Sequence, residues 1–210
     1  MARIAIADDH AIVRKGLRQI ISETDDLLLA AEAGSAEELL TVLRTGPFDL
    51  VVLDVTLGPR SGLELLKQIR SEFPRLRVLM LSMHAESMFA ARALRAGASG
   101  YIEKQHAPEK LLEAIRRILA GGVYVSEELA AQFTSDIAHG HRERLPHERL
   151  TDRELEVFRL LGTGRSVTDI ARSLNVSVKT VSTHRTRILE KTGFSDNAEI
   201  VRYVATHQLA

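Results

Sequence analysis

An alternation running through the first 120 residues narrows the fold more than any other feature. Short apolar runs at 3–7, 27–31, 49–53, 77–81 and 99–102 are separated by amphipathic stretches at 10–22, 36–44, 62–72, 86–96 and 107–120. The amphipathic stretches carry apolar residues at helical spacing. The first has Ile12, Leu17, Ile20 and Ile21; the last has Leu111, Leu112, Ile115, Ile118 and Leu119. Five strands alternating with five helices predict a doubly wound α/β fold around a five-stranded parallel sheet. In such a sheet, sites form beyond the carboxyl ends of the strands.

The alternation stops at Gly121-Gly122, a helix-ending pair. A short helical stretch at 127–133 is followed by a polar, aperiodic segment at 134–149 that contains Gly140 and Pro146 and reads as a linker. From Leu150 the pattern is helical and strand-free, with helices expected at 152–161, 167–174, 178–192 and 197–207. The expected organisation is therefore an α/β domain at 1–121, a short helix and linker at 122–149, and a small all-α domain at 150–210.

Composition limits function more than it reveals it. The chain has no cysteine, which excludes disulfides and thiolate metal sites. Its N-terminus meets charge after a very short apolar run, so no signal peptide is expected. No apolar stretch reaches the ~20 residues of a membrane span. A cytoplasmic chain without membrane contact is the expectation. The 28 basic and 28 acidic residues cancel, so overall charge carries no argument for nucleic-acid binding. Residues 148–210 hold ten Lys and Arg against eight Asp and Glu, a weak basic bias. Any DNA argument must rest on local geometry.

The strand ends gather acids. Asp8 and Asp9 follow the first strand and Asp54 the third, and these strands are expected to be neighbours. Three carboxylates so close repel one another unless a cation sits among them. All-oxygen ligation with few protein ligands and room for water favours Mg²⁺. Ser82 ends the fourth strand and Lys104 follows the fifth. A hydroxyl and an ammonium there can bind the oxygens of a phosphoryl group on Asp54, with the carboxylate as nucleophile. Each residue alone has an ordinary reading: a turn pair, a helix cap, a surface lysine. Their joint position at four strand ends makes them a site.

In the second half, the stretches 167–174 and 178–192 flank a short N-V-S turn, with Ser177 as N-cap. On a helical wheel, Val178, Val181, Ile188, Leu189 and Thr192 share one face. Lys179, Thr183, Thr186, Arg187 and Glu190 lie opposite, with Ser182 at the edge. A polar face of small hydroxyls, Lys and Arg suits a major groove. The bland alternative is a solvated surface helix. The last helix carries an apolar stripe of Ile200, Val201 and Val204. It reads either as a dimer contact or as packing within its own domain.

Two sets of residues carry a family resemblance. Asp8-Asp9, Asp54, Ser82 and the G-Y-I-E-K run ending in Lys104 resemble the receiver domain of two-component response regulators, which has the flavodoxin-like, CheY-like fold. The segments L-T-D-R-E-L-E-V-F-R-L-L, G-R-S-V-T-D-I-A-R-S-L and S-V-K-T-V-S-T-H-R-T-R-I-L-E-K-T-G resemble the LuxR-type helix-turn-helix. Together the chain resembles the NarL/FixJ family, in particular its UhpA-like branch. The resemblance implies that Asp54 accepts phosphate from a sensor histidine kinase. It implies that Asp9 and the Thr56 main-chain carbonyl ligate Mg²⁺ while Asp8 assists, and that Ser82 and Tyr101 form a switch pair. It also implies DNA contacts by Lys179, Ser182, Thr183, Thr186 and Arg187, with His184 and Lys191 near the backbone. Binding to double-stranded promoter DNA as a homodimer after phosphorylation follows, and RNA polymerase is a further candidate partner.

The chain departs from the family pattern at three places. Leu57-Gly58 stands where Met-Pro is usual, with Pro59 one place late, which is expected to loosen the loop beside the acceptor. Gln105 stands where a proline usually follows the lysine. Without proline, the usual cis bond would cost about 2.5–4 kcal/mol. Thr192 replaces the usual Leu, which is expected to weaken local packing slightly. Two rival readings stay open. A Mg²⁺-dependent phosphatase with an Asp nucleophile would carry a second acid two residues on, where this chain has Thr56. An atypical regulator would bind DNA without phosphorylation. On the main reading the chain is no enzyme beyond accepting the phosphoryl group and, at most, losing it slowly.

Overall fold

The computed structural model describes residues 1–58, 60–83, 86–127, 129–131, 145–207 and 209. They form two compact units, Met1–Ser135 and Asp136–Ala210. The short helix expected at 127–133 is described only at 127 and 129–131, which are helical. The linker expected at 134–149 lies outside the described residues up to residue 144.

The first unit runs β1 (Ala2–Ala7), α1 (Ala11–Ser22), β2 (Leu27–Ala33), α2 (Ala36–Leu43), β3 (Leu50–Asp54), β4 (Thr56–Leu57) and β5 (Arg60–Ser61). It continues with α3 (Gly62–Glu72), β6 (Arg77–Ser82), α4 (Glu86–Arg95), β7 (Gly100–Glu103), a 3-10 turn (Lys104–His106) and α5 (Ala107–Leu119). The main sheet has the order β2-β1-β3-β6-β7, and its paired neighbours are parallel. β3 is buried along its whole length, as a central strand covered on both faces must be. On one face Ile4, Ile6, Val52, Leu79 and Leu81 pack with Leu17 and Ile21 of α1 and Leu111, Ile115 and Ile118 of α5. Ser35 and Ser61 accept the N–H groups of Glu38 and Leu63, capping α2 and α3. The register sets Ala7 beside Leu53, Asp54 beside Leu81 and Ser82 beside Glu103. The carboxyl ends of four strands therefore meet at one edge.

The loop after β3 is described on both sides of Pro59, which itself lies outside the described residues. It closes into an antiparallel hairpin, pairing Thr56 with Ser61 and Leu57 with Arg60, which the alternation of apolar runs does not announce. Gly58 takes φ 59°, a left-handed conformation that glycine adopts without strain. Gly62 then allows a close approach. Its N–H donates to Val55 O at 2.7 Å, and a Cβ there would overlap the Asp54 carbonyl oxygen. Among the described residues every peptide bond is trans, and Lys104 leads straight into its 3-10 turn.

The second unit has a 3-10 turn (Pro146–Arg149), α6 (Asp152–Gly162), α7 (Val167–Ser173), α8 (Val178–Thr192) and α9 (Asn197–Thr206). Leu155, Phe158, Ile170, Val181, Ile188, Ile200 and Val204 form its buried core. Thr151, Ser166, Ser177 and Asp196 each accept a backbone N–H at a helix start, and Gly193 ends α8 at φ 77°. One expectation changes here, and one open alternative is decided. Val178 does not join the apolar face of α8: it is 47% exposed, because the domain packs on this helix only from Val181 onward. The stripe on α9 is not a free surface. Ile200 and Val204 are fully buried in their own unit, leaving only Val201 outward at 38% exposure. Thr192, in place of the usual Leu, is buried and bonds its hydroxyl back to Ile188 O at 2.7 Å.

A Cβ on Gly162 would sit inside the Val204 side chain, so α6 and α9 approach closely only because position 162 is glycine. Gly162→Ala is expected to lower the stability of this unit by about 1–3 kcal/mol through overpacking. Urea unfolding of the full chain, followed by far-UV circular dichroism, reads the shift. An unchanged midpoint would mean that Val204 moves aside freely.

Candidate functional site

At the carboxyl edge of the sheet, β1 delivers Asp8, β3 delivers Asp54, and the turn after β7 delivers Lys104. The Lys104 ammonium bridges the two acids, with Nζ 2.6 Å from Asp8 Oδ2 and 2.7 Å from Asp54 Oδ2. All three side chains are enclosed, at 7% exposure for Lys104, 1% for Asp8 and 3% for Asp54. The Thr56 N–H donates to Asp54 Oδ1 at 3.1 Å, and the His10 N–H donates to Asp8 Oδ1 at 2.8 Å. Burial pushes the Asp54 carboxyl up to about 7; Lys104 and the Thr56 N–H oppose the rise, and the Asp8 charge adds to it. Burial also pulls the Lys104 ammonium down, but Asp54 and Asp8 outweigh it and hold its pKa above the usual lysine range.

Asp9 sits at the rim, with its side chain 32% exposed. Ligand atoms of Asp8, Asp9, His10 and Asp54 all lie within 4.8 Å of one another, and the three carboxylates supply the oxygen donors that a hard divalent cation takes. His10 is the member that strand-end reasoning missed. Its only signal in the sequence is that it directly follows Asp8-Asp9. Ser82 is fully buried at the end of β6, one residue beyond the partner of Asp54. Tyr101 is buried at 1% exposure in β7, beside Met80 of β6. The structure thus brings Asp8, Asp9, Asp54, Thr56 and Lys104 into one pocket, and places Ser82 at the same edge and Tyr101 in the adjoining strand.

The second unit presents α8 as the later helix of a helix-turn-helix. The turn after α7 uses Asn175 at φ 51°, a left-handed position that Asn tolerates. Lys179, Ser182, Thr183, Thr186 and Arg187 are exposed along one side of α8, and His184 is half-buried. Thr183 donates to Lys179 O and Thr186 to Ser182 O, so both hydroxyl oxygens stand outward as acceptors. Lys191 is different. Its ammonium lies 2.9 and 2.6 Å from the two oxygens of Glu154, a carboxylate 2% exposed in α6. Burial raises the Glu154 pKa, but Lys191 and Thr151 outweigh it and leave the carboxyl below its ordinary value. Arg153 is buried beside it, paired with Glu156 at 2.6 Å and donating to Leu174 O at 3.2 Å. α6 therefore grips α8 near its end and the turn before its start.

Residues 4–116 match the family profile described as the response regulator receiver domain, and residues 148–204 match that of the bacterial regulatory proteins, luxR family. Similar curated proteins include the transcriptional activator protein ExaE of Pseudomonas putida, 40% identical over 94% of this chain and 93% of that one. The transcriptional regulatory protein UhpA of Escherichia coli K12 is 35% identical over 96% of this chain and 97% of its own. Among solved structures, RcsB of Salmonella enterica serovar Typhimurium, bound to the P1flhDC promoter with the phosphomimetic BeF3⁻, aligns at TM-score 0.66 and 26% identity over 98% of each chain. With a receiver pocket in the first unit and a helix-turn-helix in the second, the chain belongs to the NarL/FixJ family of two-component response regulators, whose LuxR-type domain binds DNA.

Proposed function

We propose that this regulator is switched by phosphorylation of Asp54, with Mg²⁺ held by Asp9, Asp54 and the Thr56 main-chain carbonyl and assisted by Asp8. The observation that carries this reading is the Lys104 ammonium bridging Asp8 and Asp54 within 2.7 Å. An amine so placed orients the Asp54 carboxylate and can move onto a phosphoryl oxygen once the acid is esterified. When bound, Mg²⁺ supplies the positive charge that keeps Asp54 ionised and offsets the phosphoryl oxygens. The Asp54 oxygen forms a bond to phosphorus as the phosphorus–nitrogen bond of the kinase phosphohistidine breaks, and the electron pair stays with the imidazole. The Ser82 hydroxyl then donates to the phosphoryl group, and Tyr101 responds to its displacement.

The proposed consequence is binding of double-stranded promoter DNA by α8, as a homodimer, in the cytoplasm. RcsB, a similar protein, is seen as dimers on DNA. Residues 1–121 act as the receiver and 150–210 as the DNA-binding domain. A sensor histidine kinase is the phosphoryl donor, and RNA polymerase is a candidate partner on the promoter. Among the described residues no helix is long and apolar enough to cross a membrane. Of the α9 stripe only Val201 is available to a second copy. Replacing Ile200 or Val204 would test folding, not dimerisation.

Acetyl phosphate with Mg²⁺ is expected to give a shifted band for the wild type on a phosphate-affinity gel and none for Asp54→Asn or without Mg²⁺. No shift under any condition would favour a phosphorylation-independent regulator. A second pair of variants separates the two lysines of α8. Lys179→Ala is expected to lower the salt dependence of DNA affinity by about one unit of log–log slope, as loss of one phosphate contact does. An unchanged slope removes it from that role. Lys191→Ala is expected instead to destabilise the fold by roughly 1–3 kcal/mol at pH 7, because it leaves a buried carboxylate without its ammonium. The folded pKa of Glu154 is depressed, so its stabilising contribution is present above the unfolded value near ~4.3 and is lost as pH falls through the folded value. The gap between wild type and Lys191→Ala in urea unfolding should therefore narrow as pH falls below about 4. A gap independent of pH would contradict the ion pair.

A further inference from the structure

Asp9 is the least enclosed acid of the pocket, at 32% exposure against 1% for Asp8 and 3% for Asp54. Packing does not fix so open a carboxylate, and the buried acids beside it repel it toward water. Two groups from outside the strand end touch it instead. His10 Nδ1 lies 2.7 Å from Asp9 Oδ1, and the Gly58 N–H donates to Asp9 Oδ2 at 3.2 Å. They approach from separate elements: His10 heads α1, while Gly58 is a turn residue of the β4–β5 hairpin. The His10 main chain is tied to the pocket, since its backbone N–H donates to Asp8 Oδ1 at 2.8 Å, while its imidazole is 62% exposed.

Gly58 reaches Asp9 through two properties: it has an N–H, and it sits at φ 59°. The proline of the usual receiver pattern has neither, because its ring removes the donor and fixes φ near about −65°. A Cβ at this position would meet nothing within 4 Å, so backbone conformation, not space, selects glycine here. We propose that Gly58 and His10 are positioning residues that hold the Asp9 carboxylate ready for the divalent cation. The Leu57-Gly58 departure thus gives the metal pocket a backbone donor. The inference rests on the metal role proposed for Asp9. A ligand carboxylate already oriented by hydrogen bonds binds its ion more tightly, and losing such an outer partner costs ~10–100-fold in metal affinity.

The test is titration calorimetry of the full, unphosphorylated chain with Mn²⁺ as the probe and Mg²⁺ as a second ion. Asp9→Asn is the reference for loss of the ligand itself. His10→Ala and Gly58→Pro are expected to bind Mn²⁺ about tenfold more weakly than wild type. Gly58→Asn keeps the N–H and tolerates the left-handed backbone, so it should stay within about twofold. Metal-free thermal unfolding separates positioning from folding: His10→Ala and Gly58→Asn should melt as wild type does. Wild-type affinity in His10→Ala and Gly58→Pro, with loss in Asp9→Asn, overturns the inference and leaves the pocket reading intact. Equal weakening in Gly58→Asn and Gly58→Pro also overturns it, by assigning the loss to the backbone rather than the donor. If Gly58→Pro does not fold, His10→Ala decides. Wild-type affinity in Asp9→Asn would instead sink the metal role of Asp9.

Discussion

One ammonium organises the pocket. Lys104 reaches Asp8 and Asp54 together, and each of the three comes from a different strand end. β1 and β3 must be neighbours for the acids to meet, and β7 must end at the same edge for the lysine to arrive. The parallel order does both. Two carboxylates buried this deeply without the amine would be left as uncompensated charge, which is strongly destabilising. The sheet topology and the pocket chemistry therefore rest on the same contact.

Much of this was legible because strand ends are easy to read. The apolar runs place Asp8, Asp54, Ser82 and Lys104 at one edge as soon as the sheet is taken as parallel. The alternation says nothing about the hairpin. Its strands are two residues each, too short for any period, and it depends on a positive φ at Gly58. The bond from Gly58 to Asp9 spans 49 positions, beyond the reach of local pattern. For the same reason the departure at Leu57-Gly58 reads from sequence as a loosened loop, with no sign of the pairing of Thr56 with Ser61 and Leu57 with Arg60.

The DNA-binding unit shows where a helical wheel stops. The wheel separates the faces of α8 correctly from Val181 to Thr192, but it treats the helix as infinitely long. Val178 lies before the domain begins to pack on it and is exposed. Lys191 looks like one more cation for phosphate, since the wheel carries no knowledge of α6. Glu154, three residues after the cap Thr151, also reaches back to the Thr151 N–H, and Lys191 closes on the same carboxylate. The acid that caps α6 thus also anchors α8, which fixes the angle at which the exposed residues of α8 are presented. The apolar stripe of α9 is resolved by the bare position at Gly162, which receives Val204.

The charge arrangement of the pocket argues for its use as a switch. With all four groups ionised, Asp8, Asp9 and Asp54 outnumber Lys104 by two negative charges, in a site whose centre is almost sealed from water. Burial is the main cause that raises the Asp54 carboxyl to about 7, with the Asp8 charge adding to the rise and Lys104 opposing it. A purely structural site would gain by replacing one acid with an apolar residue, because buried charge rarely stabilises a fold. This one instead keeps an excess that a single dication neutralises, with an amine able to follow new negative charge on Asp54. Under the proposed chemistry, adding a phosphoryl group changes the charge at one oxygen while the remaining partners are already aligned. On that proposal the pull acts on the end of β6, where Ser82 is buried, and on the neighbouring β7, which carries the buried Tyr101. A well-packed strand end does not absorb such a pull gradually, since close-packed interiors shift between discrete arrangements. Under the proposed chemistry, electrostatic imbalance at the centre and tight packing around it would together make the edge of this sheet respond as a two-state element.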